Sequence, residues 1–316
     1  VFSGTASVGR FFKSTYKVIS NDILYFSYVL QRGLITLNSV PSFTGLRLNS
    51  VSNENRVKEV LEYLNSLKGI EGFVCKHYTP NSKHADGIER MYFSVENGMK
   101  IDAVRLQIEE WLQLGKINEE EYFYLLTTLI LAVQRISNIS GNYYSFNKFW
   151  DPRSHKPLTL RYIDVIPSEF QHVAYNRNVF DILDEMTCDI AYIDPPYNSR
   201  QYITNYHLLE TIARYDNPAV KGKTGVREYT DEEKSVFCSK KKAFNAFLKL
   251  LSGLRSKYFV ISYNNEGILS KDQIFNIMEM AGIKNIKVYE IPYRKFKSNS
   301  AVVKSEVIEY LFVGYR

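Results

Sequence analysis

The chain has 316 residues and a formal net charge of +6, with 45% hydrophobic and 23% charged residues. This balance is typical of a globular protein and excludes wholesale disorder, and no apolar run approaches the ~20 residues that a membrane-spanning helix needs. The three cysteines, Cys75, Cys188 and Cys238, are odd in number and far apart. They argue against a disulfide framework and favour a reducing cytoplasm.

Apolar segments alternate with helical patterns at both ends of the chain. Short buried strands are predicted at residues 16–20 (YKVIS), 172–176, 189–193 (DIAYI) and 258–262 (YFVIS), with a late strand pair at 286–291 and 307–313. Helices are predicted at residues 23–34 and 273–280. Strands that alternate with helices favour a mostly parallel sheet covered on both faces, which is an α/β fold.

Between residues 41 and 165 this alternation stops, and helical periodicity dominates. Ser52 is a candidate N-cap for a helix with apolar residues from Val57 to Leu67 on one face. A second helix is expected around residues 101–112. Asn118 and Glu121 have the spacing of a capping box that begins a third helix. The sequence therefore predicts a mainly helical insertion here.

The positive charge is concentrated late in the chain. Residues 44–160 hold 14 basic and 14 acidic side chains, whereas residues 214–304 hold 18 basic and 9 acidic ones. A concentrated surplus indicates a surface that faces a polyanion, although a solvated basic face explains the charge alone equally well. Part of this surplus lies in residues 217–231, a polar stretch that reads as a loop near the carboxyl ends of the strands.

The strongest motif is the run Asp194, Pro195, Pro196 and Tyr197, which follows the apolar strand DIAYI directly. Two successive prolines fix the backbone and remove N–H groups, so they end the strand as a rigid turn. The turn presents a carboxylate, free carbonyl groups and an aromatic ring at the carboxyl edge of the sheet. A polar rim of this kind suits chemistry better than a plain surface turn.

The run DPPYNSRQY resembles motif IV of the amino-methyltransferases, and specifically the DPPY type of adenine-specific DNA methyltransferases in their Dam-related bacterial branch. The resemblance continues in NYHLLETIARYD, KGKTG, ISYNNEGIL and IPYRKF, and inside the helical block in GFVCKHYTP and RMYFSVENGMKID. It implies a Rossmann-like, mostly parallel methyltransferase sheet. The catalytic domain would comprise residues 1–40 and 166–316, and residues 41–165 would be an inserted target-recognition domain.

The start of the chain, VFSGTASVG, resembles motif I of the same family, with Ala6 where glycine is commonest. Asp22 follows the next strand, 18 residues after Gly4, and an acid at that distance suits a ribose hydroxyl pair; it could also cap the following helix. Asn178 is the candidate acceptor for the adenine amine of S-adenosylmethionine, with Asp181 as its rival. The full cofactor set is Phe2, Gly4, Thr5, Asn21, Asp22, Asn178 and Asp194.

The resemblance implies that S-adenosylmethionine donates a methyl group to the N6 amine of a flipped-out adenine. Asp194 and the Pro195 carbonyl would accept the two amine hydrogens, and Tyr197 would stack on the base, so the catalytic set is Asp194, Pro195, Pro196 and Tyr197. Tyr293 or Phe296 could stack on the other face of the base. The predicted DNA contacts are Lys76, Arg90, Arg200, Lys221, Lys223, Tyr293, Arg294 and Lys295, with His77 and Asn97 as further candidates in the helical block.

The resulting hypothesis is a site-specific DNA adenine-N6 methyltransferase of the bacterial cytoplasm that acts on double-stranded DNA. It would be the modification enzyme of a restriction–modification system, with a cognate endonuclease acting on the same site. The alternatives are an RNA or cytosine-amine (N4) methyltransferase and a catalytically inactive DNA-binding subunit. No metal site is expected, because Cys75, His77 and His84 lack a fourth ligand. The oligomeric state, monomer or dimer, is left open.

The first strand of such a sheet needs several apolar residues ahead of its glycine turn, and only Val1 and Phe2 precede Ser3. We therefore expect that further sequence would complete this strand and one wall of the cofactor pocket.

Overall fold

The computed structural model describes residues 1–293 and 307–316, and of Tyr293 it describes the backbone alone. The described strands are β1 (Ile19–Asn21), β2 (Val173–Tyr175), β3 (Thr187–Ile193), β4 (Val220–Lys221), β5 (Val226–Arg227), β6 (Arg255–Asn264), β7 (Lys284–Tyr293) and β8 (Val307–Tyr315). The described α-helices are α1 (Ser7–Phe12), α2 (Tyr25–Gln31), α3 (Asn53–Ser66), α4 (Phe73–Tyr78), α5 (Ser82–Asp86), α6 (Val95–Gln113), α7 (Glu119–Ile136), α8 (Tyr202–Asn205), α9 (His207–Arg214), α10 (Ala243–Gly253) and α11 (Lys271–Met280). None of the described helices is long and apolar enough to cross a membrane.

The described strands form a mixed arrangement rather than a mostly parallel one. β1 pairs with β2 and β3 pairs with β6 in parallel. β8 lies between β6 and β7 and runs antiparallel to both, which gives a four-stranded sheet in the order β3–β6–β8–β7. The predicted late strand pair is thus confirmed. β8 is the next described strand after β7 and runs antiparallel beside it, so this edge of the sheet is antiparallel.

The start of the chain connects the β1–β2 pair with the four-stranded sheet. The Val1 amino group donates to the Tyr192 carbonyl in β3 at 2.9 Å. Two residues later, the Ser3 N–H donates to the Asn21 carbonyl in β1 at 3.1 Å. Residues 1–3 therefore lie between the β1–β2 pair and the β3 edge, and they bring the ends of β1 and β3 close to each other.

Two of the helices of residues 41–165 begin where the sequence predicts, whereas α6 begins at Val95, six residues ahead of the predicted segment, and α4 and α5 were not predicted. Ser52 accepts from the Asn55 N–H ahead of α3, and Asn118 with Glu121 forms a complete capping box ahead of α7. Their apolar faces form one continuous core with α2 and α9 of the flanking segments. The division into a catalytic domain and an inserted domain stays a prediction.

Residues 217–231 form more than the predicted loop, because β4 and β5 pair as an antiparallel hairpin. Gly222 and Gly225 turn this hairpin with φ of +70° and +65°, values that favour glycine. Buried Arg90 donates to the carbonyl groups of Gly222 and Lys223 at 3.0 and 3.2 Å, and to Asp86 at 2.6 Å. The prediction of Arg90 as a DNA contact is therefore corrected: its guanidinium is buried and holds the hairpin against the helical block.

The helical block also depends on a buried carboxylate in α6. Asp102 accepts from the N–H groups of Gly72, Val74 and Cys75 at the start of α4, at 2.8 to 3.0 Å. It accepts a fourth hydrogen bond from the Tyr215 hydroxyl at 2.7 Å. These contacts fix the start of α4 against α6 and attach the end of α9 to both.

We predict that Asp102→Asn lowers the free energy of unfolding by about 3 kcal/mol, because an amide nitrogen would face donors that cannot be satisfied by water. Urea denaturation followed by circular dichroism measures this loss. The matched control is Asp184→Asn, whose carboxylate is exposed and pairs with Arg255 at 2.9 Å. Its loss should stay within about 0.5 kcal/mol. Equal losses in both variants would contradict the role assigned to Asp102.

Candidate active site at the carboxyl ends of the strands

A cavity lies where β1, β2 and β3 end, and its empty space, with the open mouth included, is about 940 Å³. The whole predicted cofactor set lines it: Phe2, Gly4, Thr5, Asn21, Asp22, Asn178 and Asp194. These residues are far apart in the sequence, and the fold brings them to one site.

The glycine turn and Asp22 form one wall of the cavity. The Gly4 N–H donates to Oδ2 of Asp22 at 2.9 Å, and the Leu24 N–H donates to Oδ1 at 3.0 Å. Asp22 thus holds both the turn and the backbone that leads towards α2. It does not cap this helix as predicted, because the N-cap of α2 is Leu24. Burial raises the pKa of Asp22, and the backbone hydrogen bonds from Leu24 and Gly4 oppose this shift. Because each carboxylate oxygen has further lone pairs, acceptor capacity remains for a ligand hydroxyl.

Two positions in the same turn have left-handed backbone. Gly4 has φ of +50° and Ala6 has φ of +63°. The left-handed conformation explains why glycine suits position 6, since an alanine there carries modest strain.

An aromatic wall faces the polar side of the cavity. Phe180 and Phe237 stack with an interplanar angle of 7° and ring centroids 5.9 Å apart, and Phe2 packs edge-on against Phe237 at 5.0 Å. Asn178 lies beside this wall and accepts from the Phe180 N–H at 3.2 Å. Its rival Asp181 is exposed and does not line the cavity. The cavity therefore combines a flat apolar surface with hydrogen-bonding groups, as a nucleoside requires.

Asp194 stands at the end of β3, where the cavity opens. Its carboxylate is accessible to solvent, yet surrounding protein partly desolvates it. Together with the nearby Glu309 carboxylate, this raises the pKa of Asp194 to about 6. The Tyr192 hydroxyl lies 3.5 Å from Oδ2. Asp194 is the only carboxylate of the DPPY run, so this shift concerns the group that the sequence singles out.

The rest of the DPPY run is held by burial and by contacts with the segment that follows β6. Pro195 and Pro196 are buried, and Pro196 contributes to the cavity lining. The Tyr197 carbonyl accepts from the Ile268 N–H at 2.8 Å, and its ring packs edge-on against Tyr263 at 6.3 Å. The segment that follows β6 thus supports the rim.

Gln201 makes a contact that the sequence gave no reason to expect. Its side-chain amide donates to the Ser235 carbonyl at 3.1 Å and accepts from the Ser235 N–H at 2.7 Å. Residues 233–237 form part of the cavity lining, and Gln201 lines it as well. This two-bond contact therefore holds one wall of the cavity against the DPPY rim. Only its position four residues after Tyr197 could have drawn attention to it.

A second unexpected contact places α2. The Glu210 carboxylate, fully buried in α9, accepts from the N–H groups of Tyr25 and Phe26 at 2.9 Å each. It also pairs with Arg214 at 2.7 Å. Because α9 follows the DPPY run and α2 follows Asp22, Glu210 connects the two halves of the site.

The predicted DNA contacts have different environments. Lys76, Arg200, Lys221 and Lys223 are exposed, and Lys221 pairs with Glu228 at 2.8 Å. Arg90 is buried, as described above. Asn97 is also buried and donates to the carbonyl groups of Ser154 and Lys156, so it supports the helical block. The Tyr293 side chain, Arg294, Lys295 and Phe296 lie outside the described residues.

Comparison with known proteins identifies the family. The model of the D12 class N6 adenine-specific DNA methyltransferases matches residues 1–277. The chain is 43% identical over 316 residues to the Type II methyltransferase M.FokI of Planomicrobium okeanokoites, and 39% identical over 318 residues to the modification methylase StsI of Streptococcus sanguinis. Each alignment covers 99% of this chain, yet only 47% and 46% of the relative, so the chain spans about half of these proteins.

A further relative matches over most of its length. The Type II methyltransferase M.NlaIII of Neisseria lactamica is 38% identical over 323 residues, which covers 99% of this chain and 89% of the relative. No solved structure matches significantly.

We predict that Gln201→Ala weakens binding of S-adenosylmethionine about 10-fold, because two hydrogen bonds that hold a cavity wall are lost. Isothermal titration calorimetry measures the affinity. Gln113→Ala, at an exposed position of α6, is the control and should bind as the wild type does. Unchanged affinity in Gln201→Ala would contradict the proposed importance of this contact.

Proposed function

Since the chain belongs to the D12 class N6 adenine-specific DNA methyltransferases, we propose that it methylates the N6 amine of adenine in double-stranded DNA with S-adenosylmethionine as donor. The observation that carries this proposal is the position of Asp194. It stands at the mouth of the cavity that the predicted cofactor residues line, with its pKa raised to about 6.

The cavity fits the proposed donor. Asp22 would accept from ribose hydroxyls, with Asn21 beside it, and Asn178 would accept from the adenine amine of the cofactor. The wall of Phe2, Phe180 and Phe237 offers rings to an aromatic base. Gly4 has no side chain and therefore allows the backbone to approach the ligand closely, and Thr5 follows it in the cavity lining. When bound, S-adenosylmethionine supplies an electrophilic methyl group on a sulfonium centre.

Asp194 has a specific task in this mechanism. The lone pair of the adenine amine is delocalised into the ring and must be localised before it can act as a nucleophile. The Asp194 carboxylate and the Pro195 carbonyl accept the two amine hydrogens and so favour a tetrahedral nitrogen. The positive charge that develops on this nitrogen is stabilised by the carboxylate, which can also receive the proton that the amine must lose.

The target adenine is out of reach inside a duplex, so it must rotate out of the helix at a cost of a few kcal/mol. Tyr197, at the rim, provides a ring on which the flipped base stacks. Pro195 and Pro196 keep that ring and the carboxylate in a fixed relation, since both prolines are buried. Exposed Lys76, Arg200, Lys221 and Lys223 are the proposed contacts to the DNA backbone.

Residues 41–165 are the proposed target-recognition region, and residues 1–40 and 166–316 the proposed catalytic domain. The names of the relatives support a modification enzyme of a restriction–modification system in a bacterial cell, paired with an endonuclease for the same site. The alternatives, an RNA or cytosine-amine methyltransferase and an inactive DNA-binding subunit, have less support. The family description specifies adenine in DNA, and Asp194 and Tyr197 are both present at the rim.

Labelled S-adenosylmethionine tests the proposal directly. The protein is incubated with duplex DNA, RNA or neither, and transferred label is counted. We expect label in DNA, and mapping of methylated adenines on a plasmid then identifies the site. Label in RNA, on cytosine, or in no acceptor would overturn the proposal.

We predict that Asp194→Ala lowers the rate of methyl transfer about 100-fold or more, because it removes the acceptor that stabilises the developing charge. Binding of S-adenosylmethionine and of duplex DNA should remain measurable. Single-turnover rates on the mapped duplex test this, with Asp184→Ala as the exposed control. A near-wild-type rate for Asp194→Ala would contradict the assignment.

The raised pKa of Asp194 predicts the pH dependence. A carboxylic acid with a pKa of about 6 loses its acceptor form as the pH falls through that value, so the rate should decline below about pH 6. Glu309→Gln removes a negative charge that raises the pKa of Asp194, and the acid limb should therefore move to lower pH. The control is Glu290→Gln, because Glu290 is exposed and pairs with Lys271. This variant should leave the acid limb of the rate profile in place. Identical acid limbs in all three proteins would refute this account.

A further inference from the structure

The helix α2 begins beside the candidate active site without a capping side chain of its own. Its N-cap is Leu24, whose apolar side chain cannot accept a hydrogen bond. The first N–H groups of a helix have no partner within that helix, and burial makes an outside partner necessary. Here the Tyr25 and Phe26 N–H groups donate to the carboxylate of Glu210, in α9, at 2.9 Å each. The position of the start of α2 therefore depends on α9.

The start of α2 and the segment that leads into α9 line the same cavity. Leu24 and Phe26 belong to the wall that follows β1, and Tyr206 belongs to the wall that follows the DPPY run. The Phe26 and Tyr206 rings stack with centroids 5.3 Å apart and an interplanar angle of 30°. Glu210 lies four residues after Tyr206, so the segment that carries the carboxylate also carries the ring that meets Phe26.

The Glu210 carboxylate is also connected to a third part of the lining. Arg214, in the last turn of α9, donates to this carboxylate at 2.7 Å. The same guanidinium lies 3.9 Å from the carboxylate of Glu233, which lines the cavity. It also lies 5.4 Å from the centroid of the Tyr25 ring. One carboxylate thus contacts two walls of the cavity directly and a third through Arg214.

Burial makes these contacts strong. Glu210 is fully buried, so water does not compete for its hydrogen bonds. Hydrogen bonds to a charged acceptor are among the stronger ones in proteins, and a buried carboxylate that lost its partners would be costly. Glu210 itself does not line the cavity, so any effect that it has on the reaction must act through the walls that it holds.

We propose that Glu210 is a positioning residue for methyl transfer, which sets the distance between the cofactor side of the cavity and the DPPY rim that receives the target amine. The proposal rests on the proposed function, because it assigns the two sides to cofactor and target. Asp22 keeps its own hydrogen bonds from Gly4 and Leu24 when Glu210 is changed. Cofactor binding should therefore persist, whereas the alignment of methyl group and amine should suffer. A misplacement of about 1 Å can lower a rate about 100-fold.

Single-turnover kinetics at saturating S-adenosylmethionine, with the mapped duplex, test this role. Glu210→Gln keeps the length of the side chain but replaces one acceptor oxygen with a donor, so the start of α2 should shift relative to α9. We expect the rate constant to fall about 10-fold or more. The Kd for S-adenosylmethionine, measured by isothermal titration calorimetry, should change less than about 3-fold. A wild-type rate constant, or a loss confined to cofactor affinity, would overturn the proposal.

Glu121→Gln is the matched control for lost stability. Glu121 is also a buried carboxylate at a helix start, and it accepts from the Asn118 and Phe43 N–H groups. It lies in the first turn of α7, whereas Gln134, in the last turn, is the residue of α7 that lines the cavity. Both variants should unfold at a lower urea concentration than the wild type, but only Glu210→Gln should lose rate. Equal rate losses would show general destabilisation and overturn the proposal.

Glu210→Asp separates the distance from the charge. This variant keeps the negative charge, but its side chain is one methylene group shorter, so α2 must move towards α9 or lose its hydrogen bonds. We expect a loss of rate like that of Glu210→Gln, with binding of S-adenosylmethionine retained as evidence that the variant is folded. A full rate in Glu210→Asp would overturn the distance role.

The same measurements separate this inference from the proposed function. Wild-type protein that binds S-adenosylmethionine but methylates no DNA would refute the proposed function, and this inference with it. Wild-type protein that methylates DNA, together with a Glu210→Gln variant of unchanged rate, would refute this inference alone.

Discussion

The Asp22 carboxylate is the contact on which the site depends most. It accepts from Gly4 in the turn at the start of the chain and from Leu24 ahead of α2, so it joins two cavity walls that are 18 to 20 residues apart. Together with the hydrogen bond from the Ser3 N–H to the Asn21 carbonyl, it fixes the distance of the glycine turn from β1. A buried carboxylate is costly to desolvate, and these backbone hydrogen bonds compensate for that cost. The same backbone hydrogen bonds thus fix the position of the turn and oppose the rise in the pKa of Asp22.

The same kind of contact, a carboxylate that accepts from backbone N–H groups, occurs at other places in the molecule. Glu210 accepts from the start of α2, and Asp102 accepts from the start of α4. Glu121 completes the capping box of α7 and also accepts from the Phe43 N–H. Each carboxylate satisfies backbone N–H groups that would otherwise be buried without partners, and negative charge at a helix start is favourable. These contacts join segments that are distant in the sequence, so they determine how the helical block lies against the strands.

The candidate site is built from both parts of the chain. The cavity takes its acidic and glycine residues from the strand ends, and Gln134 from α7 of the helical block. A single apolar core extends from α3 to α9, which leaves little freedom for the helical block to move independently. The proposed recognition of DNA by the helices and the proposed chemistry at Asp194 would therefore occur on one rigid framework.

Local sequence patterns were sufficient to predict many features of the fold and of the candidate site. The DPPY run follows a strand as predicted, the caps at Ser52 and Asn118 are observed, and every predicted cofactor residue lines one cavity. These features depend on residues close in the sequence, where turn geometry and capping operate, or on a motif whose pattern identifies the family. The resemblance to the methyltransferases, rather than periodicity, pointed to Asn178 as the candidate, with Asp181 as its rival.

Contacts between residues distant in the sequence determined the features that local patterns did not predict. An arginine in a polar segment reads as a surface contact, yet Arg90 is buried because carbonyl groups of the β4–β5 hairpin, more than 130 residues away, accept its hydrogen bonds. Gln201 gained its role only when the fold brought Ser235 beside it. The antiparallel edge at β8 likewise depends on which strand lies next to β6. The sequence determined the local elements and the chemical groups of the site. The tertiary structure decided which polar groups are buried with partners and which remain free to meet a ligand. The reason is that burial and pairing are set by residues distant along the chain.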